Sequence, residues 1–201
     1  MPSIKLIARR LVLFTILVVV LGIAGCQSTT LEEPYPPLRF TNYPAIRLDV
    51  ANIEVENAYV PPAAPPNVDH LFPVTPLEAT NQWIKDRLQA VGSVGRARVV
   101  IANAASIATS IETNKSFSGY FINEQAERYT ANLEVVVEVL DNAGARVGVA
   151  WASSKRVQTV PEDASLSDKD LVWYRMTDSL MTAFDKEMER QIRSKLDRWV
   201  R

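Results

Sequence analysis

The stretch Tyr129–Leu140, which reads YTANLEVVVEVL, decides the fold of this chain. Every second residue is apolar, and these residues would share one face: Tyr129, Ala131, Leu133, Val135, Val137 and Val139. The intervening positions are mostly polar: Thr130, Asn132, Glu134 and Glu138. Such alternation predicts a β-strand with one buried and one solvated face, which is typical of an antiparallel sheet.

Three other segments are predicted as strands, namely Ile46–Val55, Arg96–Ile111 and Arg146–Val160. In Ile46–Val55 the alternation of apolar and polar residues shifts by one position at Ala51–Asn52. This shift indicates a bulge, or the end of the regular pattern. The last of the three segments follows a turn at Asp141–Gly144, and its pattern places Val147, Val149 and Trp151 on the inward face.

A helix is predicted to begin at Pro76, because Thr75 can cap it and Glu78 completes a capping box. Its apolar face would hold Leu77, Ile84, Leu88 and Val91, with Trp83 at the edge. Gly92 is expected to end it.

The C-terminal helix is predicted to begin after Ser165 or Ser167. Apolar residues recur along it at three- and four-residue steps: Trp173, Met176 (or Thr177), Leu180, Phe184, Met188, Ile192, Leu196 and Trp199. We interpret this stripe as core. The alternative is a groove for an acyl chain or a partner, since Trp173, Met176, Met181, Phe184, Met188 and Trp199 include adaptable methionines.

These elements predict an α+β fold of order βαβββα in one domain, residues 46–201. It is expected to be a two-layer sandwich, in which a four-stranded, mainly antiparallel sheet packs against two helices.

The N-terminal segment, residues 1–25, has the features of a signal peptide. The basic residues Lys5, Arg9 and Arg10 precede an apolar run, Leu11–Leu21, and small residues follow. One alternative is an uncleaved membrane helix, but Leu11–Gly25 is somewhat short of the roughly 20 residues that a span needs. The other is an ordinary signal peptide with a chance cysteine at position 26.

The residues Ile23-Ala24-Gly25-Cys26 resemble the lipobox of bacterial lipoproteins. That resemblance implies cleavage between Gly25 and Cys26, a diacylglycerol on the Cys26 thiol and an acyl chain on its new amino group. Gln27, rather than aspartate, implies anchoring at the periplasmic face of the outer membrane, with the inner membrane less favoured. Residues 26–45, which contain four prolines, are predicted to form a tether.

Two further resemblances concern the domain. The element order resembles that of LptE-type lipopolysaccharide-assembly lipoproteins and of auxiliary lipoproteins of transport systems. The segments Gly119–Phe121, Gln125–Tyr129 and Leu133–Val135 resemble an uncharacterised family of bacterial lipoproteins with no assigned activity.

Composition and motifs argue against several functions. The chain has 22 basic residues, three of them before Cys26, and 23 acidic residues, all after it, so the mature chain is negative and unsuited to nucleic acid. The one histidine, His70, has Asp69 beside it, too few ligands for a metal. The sequence has no Gly-x-Ser-x-Gly nucleophile motif. Gly92–Gly95 resembles the start of a phosphate-binding loop, but it follows a helix and not a strand, which is the wrong context for such a loop. We therefore expect no enzyme, no metal and no cofactor besides the lipid on Cys26.

The connection Thr113–Glu127 carries Lys115 and the apolar run Tyr120, Phe121 and Ile122. These residues are candidates for contact with a partner protein or lipid, and the alternative is a lid folded on the sheet. The sequence thus predicts a membrane-anchored, non-catalytic interaction or assembly factor of the cell envelope. The alternative function is a lipid-binding or lipid-transport module with an apolar groove between helix and sheet.

Overall fold

The computed structural model describes residues 35–111, 125–161 and 163–201, and they form an α+β fold. The strands are β1 (Ile46–Leu48), β2 (Asn52–Asn57), β3 (Leu88–Ala90), β4 (Arg96–Asn103), β5 (Ser106–Ser110), β6 (Gln125–Leu140) and β7 (Arg146–Pro161). The helices are α1 (Pro76–Arg87) and α2 (Leu166–Lys195), with 3-10 turns at Asp69–Leu71 and Asp197–Trp199.

The main sheet has five strands arranged around β6. Strands β4 and β5 lie one after the other along one edge of β6, and β7 lies along the other edge, all three antiparallel to β6. Strand β2 lies outside β4 and is parallel to it. Strands β1 and β3 form a separate parallel pair. The α+β class is confirmed, but the prediction of a single four-stranded sheet is wrong.

The predicted first strand divides because the chain turns between Leu48 and Asn52. Val50 N donates to the Leu48 carbonyl over 2.8 Å, and this local bond ends β1. Strand β1 then pairs with β3, whereas β2 pairs with β4. The change of phase at Ala51–Asn52 marks this exchange of partners.

The predicted second strand divides after Asn103. The Asn103 side-chain oxygen accepts from Ala105 N over 3.0 Å, which replaces a ladder bond with a local one. Asn132 N of β6 donates to the Ala105 carbonyl over 2.8 Å, so β5 resumes pairing with the same strand.

The apolar face of strand β6 is as predicted, but Glu138, which was predicted on the solvated face, is buried between two arginines. The strand's apolar face is buried: Tyr129, Ala131, Leu133, Val135, Val137 and Val139. We call the side of the sheet that carries these residues the inner face, because the helices pack against it, and the opposite side the outer face.

The predicted facing of β7 is wrong. Val147, Val149 and Trp151 are exposed, and the small residues Ala150 and Ala152 are buried instead. The reason is the close approach of the chain that follows α2. A Cβ added at Gly148 would lie 2.7 Å from Leu196 Cδ2 and 2.8 Å from Trp199 Cζ3. Only small side chains fit between this part of β7 and the C-terminal segment.

Helix α1 begins as predicted, with the capping box of Thr75 and Glu78 and with Pro76 at the first position. It ends at Arg87, earlier than predicted, because Leu88 adopts an extended conformation and starts β3. Trp83, expected at the edge of the apolar face, is fully buried.

Helix α2 has Ser165 as its N-cap, in a capping box with Asp168. The stripe that we interpreted as core is buried: Trp173, Met176, Thr177, Leu180, Met181, Phe184, Met188, Ile192 and Leu196. Trp199 follows the helix in a 3-10 turn and is partly buried.

Residues 35–45, the described part of the predicted tether, lie against the domain. Leu38 and Phe40 are buried in the core. Phe40 N donates to Asp86 Oδ2 over 3.0 Å, and the Tyr174 hydroxyl donates to the Pro36 carbonyl over 3.1 Å. The chain thus enters the fold along its helical layer.

Candidate functional site

Several predicted site residues lie outside the described residues. These are the cleavage and lipidation pair, Gly25 and Cys26, and the candidate contact residues Lys115, Tyr120, Phe121 and Ile122. The connection that holds the contact residues leaves β5 at Ser110 and enters β6 at Gln125. Contact site and lid both stay predictions for this connection.

Asp69 and His70, the pair considered as metal ligands, differ in burial. The Asp69 carboxylate is buried and accepts from the Tyr59 hydroxyl over 3.1 Å and from Ser106 N over 2.7 Å. Burial raises the pKa of Tyr59 to about 12, and the negative charge of Asp69 is the second cause of this shift. His70 is exposed. Asp69 therefore fixes the loop of residues 60–73, which contains five prolines, to β5. This is a structural role.

Metal-binding and membrane-spanning features were sought in the same residues. Across residues 35–111, 125–161 and 163–201, no three His, Cys, Asp or Glu side chains come together as metal ligands. None of the helices in those ranges combines the length and the apolar character needed to cross a membrane.

A buried cation joins the two helices. The Arg87 side chain is fully buried, and its Nε lies 2.7 Å from Asp185 Oδ1 and its Nη2 2.5 Å from Glu189 Oε2. Trp83 Nε1 also donates to Asp185 Oδ1 over 2.7 Å. Arg87 Nη1 donates to the Pro44 carbonyl. We call this group the Arg87 knot.

The sequence analysis missed the Arg87 knot because its members are far apart in the chain. One signal was available: Asp185 lies four residues after Met181 and three before Met188, so it interrupts an apolar helix face. A carboxylate at such a position needs a cation or hydrogen-bond donors as partners. No local pattern identifies that cation as Arg87.

The outer face of the sheet carries an ion-pair network at one end. The carboxylate of Glu138 on β6 accepts from Arg98 Nε over 2.8 Å and from Arg146 Nη1 over 2.8 Å. Hydrogen bonds from Arg146 and then Arg98 lower the pKa of Glu138. Its charge is thus neutralised by side chains from the strands on either side.

An apolar cluster lies beside this network on the outer face. Val100, Val136 and Trp151 are direct cross-strand neighbours on β4, β6 and β7. Val149 precedes Trp151 by two residues on the same face, and 43% of Val149 and 52% of Trp151 are exposed. Large apolar groups that are adjacent and half exposed are typical of interaction surfaces. We call Val100, Val136, Val149 and Trp151 the outer-face cluster.

Strand β7 is also an edge of the sheet. Within the described part of the chain it pairs with β6 alone, over 16 residues. The backbone groups on its other edge point away from the ladder, and a long edge of this kind can accept a strand from another chain. The outer-face cluster and this edge meet at Trp151.

Neither the protein-family models nor the curated proteins include a match to this chain. Among solved structures, it is similar to the protein XCC0632 from Xanthomonas campestris, of the family model DUF330. The two sequences are 10% identical, the TM-score is 0.31, and the match covers 77% of this chain and 90% of the other. At that TM-score the likeness carries no argument about function.

Proposed function

We propose that this chain is a non-catalytic lipoprotein, anchored through lipid on Cys26 to the periplasmic face of the outer membrane, that acts as an interaction or assembly factor in the bacterial envelope. The order of basic, apolar and small residues before Cys26 supports the anchor. Two or three acyl chains there would hold the protein stably, since each buried CH₂ contributes about 0.8 kcal/mol.

The observation that carries the interaction role is the exposed side of β7. An edge strand offers unpaired N–H and C=O groups, and a partner in extended conformation can hydrogen-bond to them. The outer-face cluster lies on the same strand and can bury its half-exposed Trp151 and Val149 against the partner's side chains. Buried aromatic side chains are the commonest strong contributors to such interfaces.

The chemistry of this surface favours a protein segment as the occupant. Beside the cluster, Glu138 is paired with Arg98 and Arg146. Glu134 of the same strand is exposed and forms no ion pair with the described residues, so a lone negative charge lies on the other side of Val136. From the edge of β7 and the apolar cluster beside it, we infer that the partner is an envelope protein that presents an extended, apolar segment.

Lipid binding is the second candidate function. The space between α2 and the sheet is filled by buried side chains such as Trp173, Phe184 and Met188, which argues against an acyl groove there. The exception is one pocket between α2 and the later part of β7, and its two arginines favour contact with an anionic group.

Photo-crosslinking in cells tests the interaction role. A benzophenone side chain at position 149 should give a discrete adduct with one envelope protein, and Trp151→Ser in the same chain should reduce that adduct severalfold. The matched control places the benzophenone at Val94, which is 60% exposed in the turn between β3 and β4.

Equal adducts from positions 149 and 94, or an adduct unchanged by Trp151→Ser, would contradict the proposed surface. An adduct of twice the monomer mass would mean that a second copy of this chain occupies the edge instead.

The anchor has its own test, which does not depend on any partner. Cys26→Ser removes the thiol that would accept diacylglycerol, so a clickable palmitate should label the wild type and not the variant. Equal labelling of the two chains would refute the lipid anchor.

A further inference from the structure

A pocket of about 200 Å³ lies between β7 and α2, on the inner side of the sheet. Arg156 and Gln158 line it from β7, and Arg175 and Ser179 line it from α2. Val172 and Met176 of α2 provide apolar surface in the same pocket. Two arginines therefore line one small pocket, which also has an apolar side.

The pocket lies where the side chains on the inner face of β7 change from small to polar. Toward its start this face carries Gly148, Ala150 and Ala152, which allow close packing. At Ser154, Arg156 and Gln158 the inward positions are polar, before the buried Val160. The Ser154 hydroxyl donates to the Leu180 carbonyl of α2 over 3.1 Å. The next inward residue is Arg156, which faces α2 across the pocket.

These two arginines, like Arg47, Arg128 and Arg198, form no ion pair with the described residues. Arg87, Arg98 and Arg146, by contrast, each form ion pairs with carboxylates. One Arg156 donor, Nη1, is used by the Lys155 carbonyl over 2.9 Å. Two like charges that share a cavity repel each other unless an anion lies between them.

We propose that this pocket binds the phosphate group of a phosphate ester. Each guanidinium presents paired N–H donors that match phosphate oxygens, and hydrogen bonds between ionised groups are the strong ones. Gln158 and Ser179 supply neutral donors, and Val172 and Met176 contact the carbon atoms next to the ester oxygen. Either a phospholipid headgroup or a soluble phosphate ester has this chemistry.

The size of the pocket limits what enters it. Its volume lies below the roughly 300 Å³ at which pockets for whole small molecules begin. The pocket therefore holds a headgroup-sized fragment, and any acyl chain of the ligand stays outside. The inference is independent of the proposed interaction role of β7.

The test uses the full chain in a non-ionic detergent, observed through the arginine Nε–H signals in NMR spectra. Three probes are titrated: inorganic phosphate, glycerol 3-phosphate and dihexanoyl phosphatidic acid at concentrations where it is monomeric. We expect saturable shifts of the Arg156 and Arg175 signals. Arg156→Gln and Arg175→Gln should each weaken binding about tenfold, which corresponds to about 1.4 kcal/mol.

Arg128→Gln is the matched control, because Arg128 is exposed on neighbouring β6, where it pairs with Thr159 on the outer face. It removes the same charge without touching the pocket. Arg175 is exposed on α2, so its variant is expected to fold even if Arg156→Gln does not.

The probes separate the two sources of phosphate. Tighter binding of the short phosphatidic acid than of glycerol 3-phosphate would assign the site to lipid headgroups, and equal binding would assign it to soluble esters. Binding of none of the probes, or an equal loss of affinity in Arg128→Gln, would overturn the proposal.

Discussion

Strands β6 and β7 are neighbours of the same length, 16 residues each, yet they place their large apolar side chains on opposite faces. On β6, large residues such as Leu133 and Val135 point inward and are fully buried. In the first half of β7, the inward residues Gly148, Ala150 and Ala152 are small, and Val149 and Trp151 point outward. In adjacent strands, therefore, an alternating apolar pattern marks the buried face of β6 but the exposed face of β7.

The difference shows that volume, and not hydrophobicity alone, decides which face of a strand is buried. β6 lies under the core, where large side chains fill the space between helix and sheet. The start of β7 lies against Leu196 and Trp199, where even a Cβ at Gly148 would be too close. Large apolar residues on β7 must then lie outside, and their exposure requires another explanation, for which we propose a partner.

The largest expected effect concerns the inner face of β6. Leu133→Ala should lower the free energy of unfolding by about 2–5 kcal/mol, because a fully buried side chain is removed and a cavity is left. Urea unfolding at neutral pH measures it. Thr130→Ala, on the outer face of the same strand, is the control, and similar midpoints for the two variants would mean that the faces are reversed.

On the inner face of β7, an enlarged side chain, rather than a shortened one, should lower the stability of the protein. Gly148→Val should destabilise the protein by about 1–3 kcal/mol, since its side chain would overlap Leu196 and Trp199. Ser153→Val adds the same kind of side chain on the exposed outer face and should leave the thermal midpoint nearly unchanged. A Gly148→Val variant as stable as the wild type would refute the role of volume.

The outer face of β6 should show a pH-dependent effect. Arg146 and Arg98 lower the pKa of Glu138 in the folded state, so its contribution to stability is present above the unfolded value of about 4.3 and is lost as pH falls through the folded pKa. Because both arginines are partly exposed, Glu138→Gln should cost less than about 1 kcal/mol at pH 7.

Urea unfolding of wild type and Glu138→Gln between pH 3 and pH 7 checks this prediction. The gap between the two midpoints should narrow as pH falls below the unfolded value of about 4.3. Glu134→Gln, exposed on the same face, controls for the loss of a carboxylate. A gap that is constant over the whole range would show that the ion pairs contribute nothing.

The smallest effect is expected on the outer face of β7. Trp151→Ser should change the free energy of unfolding by no more than about 0.5 kcal/mol, because half of the side chain is already exposed. Differential scanning calorimetry measures it. A loss of several kcal/mol would mean that Trp151 supports the domain itself, and the proposed docking surface would lose its main argument.

Local signals predicted much of this fold. The alternation in Tyr129–Leu140, the capping box at Thr75 and Glu78, and the apolar stripe of the last helix each depend on residues close in sequence, and each is found in the structure. The division of the first two predicted strands was missed. The first predicted strand divides because its halves pair with different distant strands, β1 with β3 and β2 with β4. The second divides through a local bond of the Asn103 side chain, and both of its halves pair with β6.

The candidate sites were harder to predict, because they depend on residues far apart in the sequence. The outer-face cluster requires the register of three strands, and the two-arginine pocket requires Arg156 of β7 to face Arg175 of α2. In the sequence both arginines resemble ordinary surface charges. The proposed contact residues around Tyr120 lie outside the described residues, so that hypothesis still depends on the sequence alone.

The Arg87 knot has a mechanical consequence. It binds the Pro44 carbonyl to a side chain of α1 that is itself held by Asp185 and Glu189 of α2. A force that pulls on the chain at Tyr35 would reach this point after Leu38 and Phe40, and there it would be shared between two helices. If Cys26 carries the proposed lipid anchor, tension would enter the chain from that end, and the Arg87 knot would resist detachment of the residues that follow Pro44.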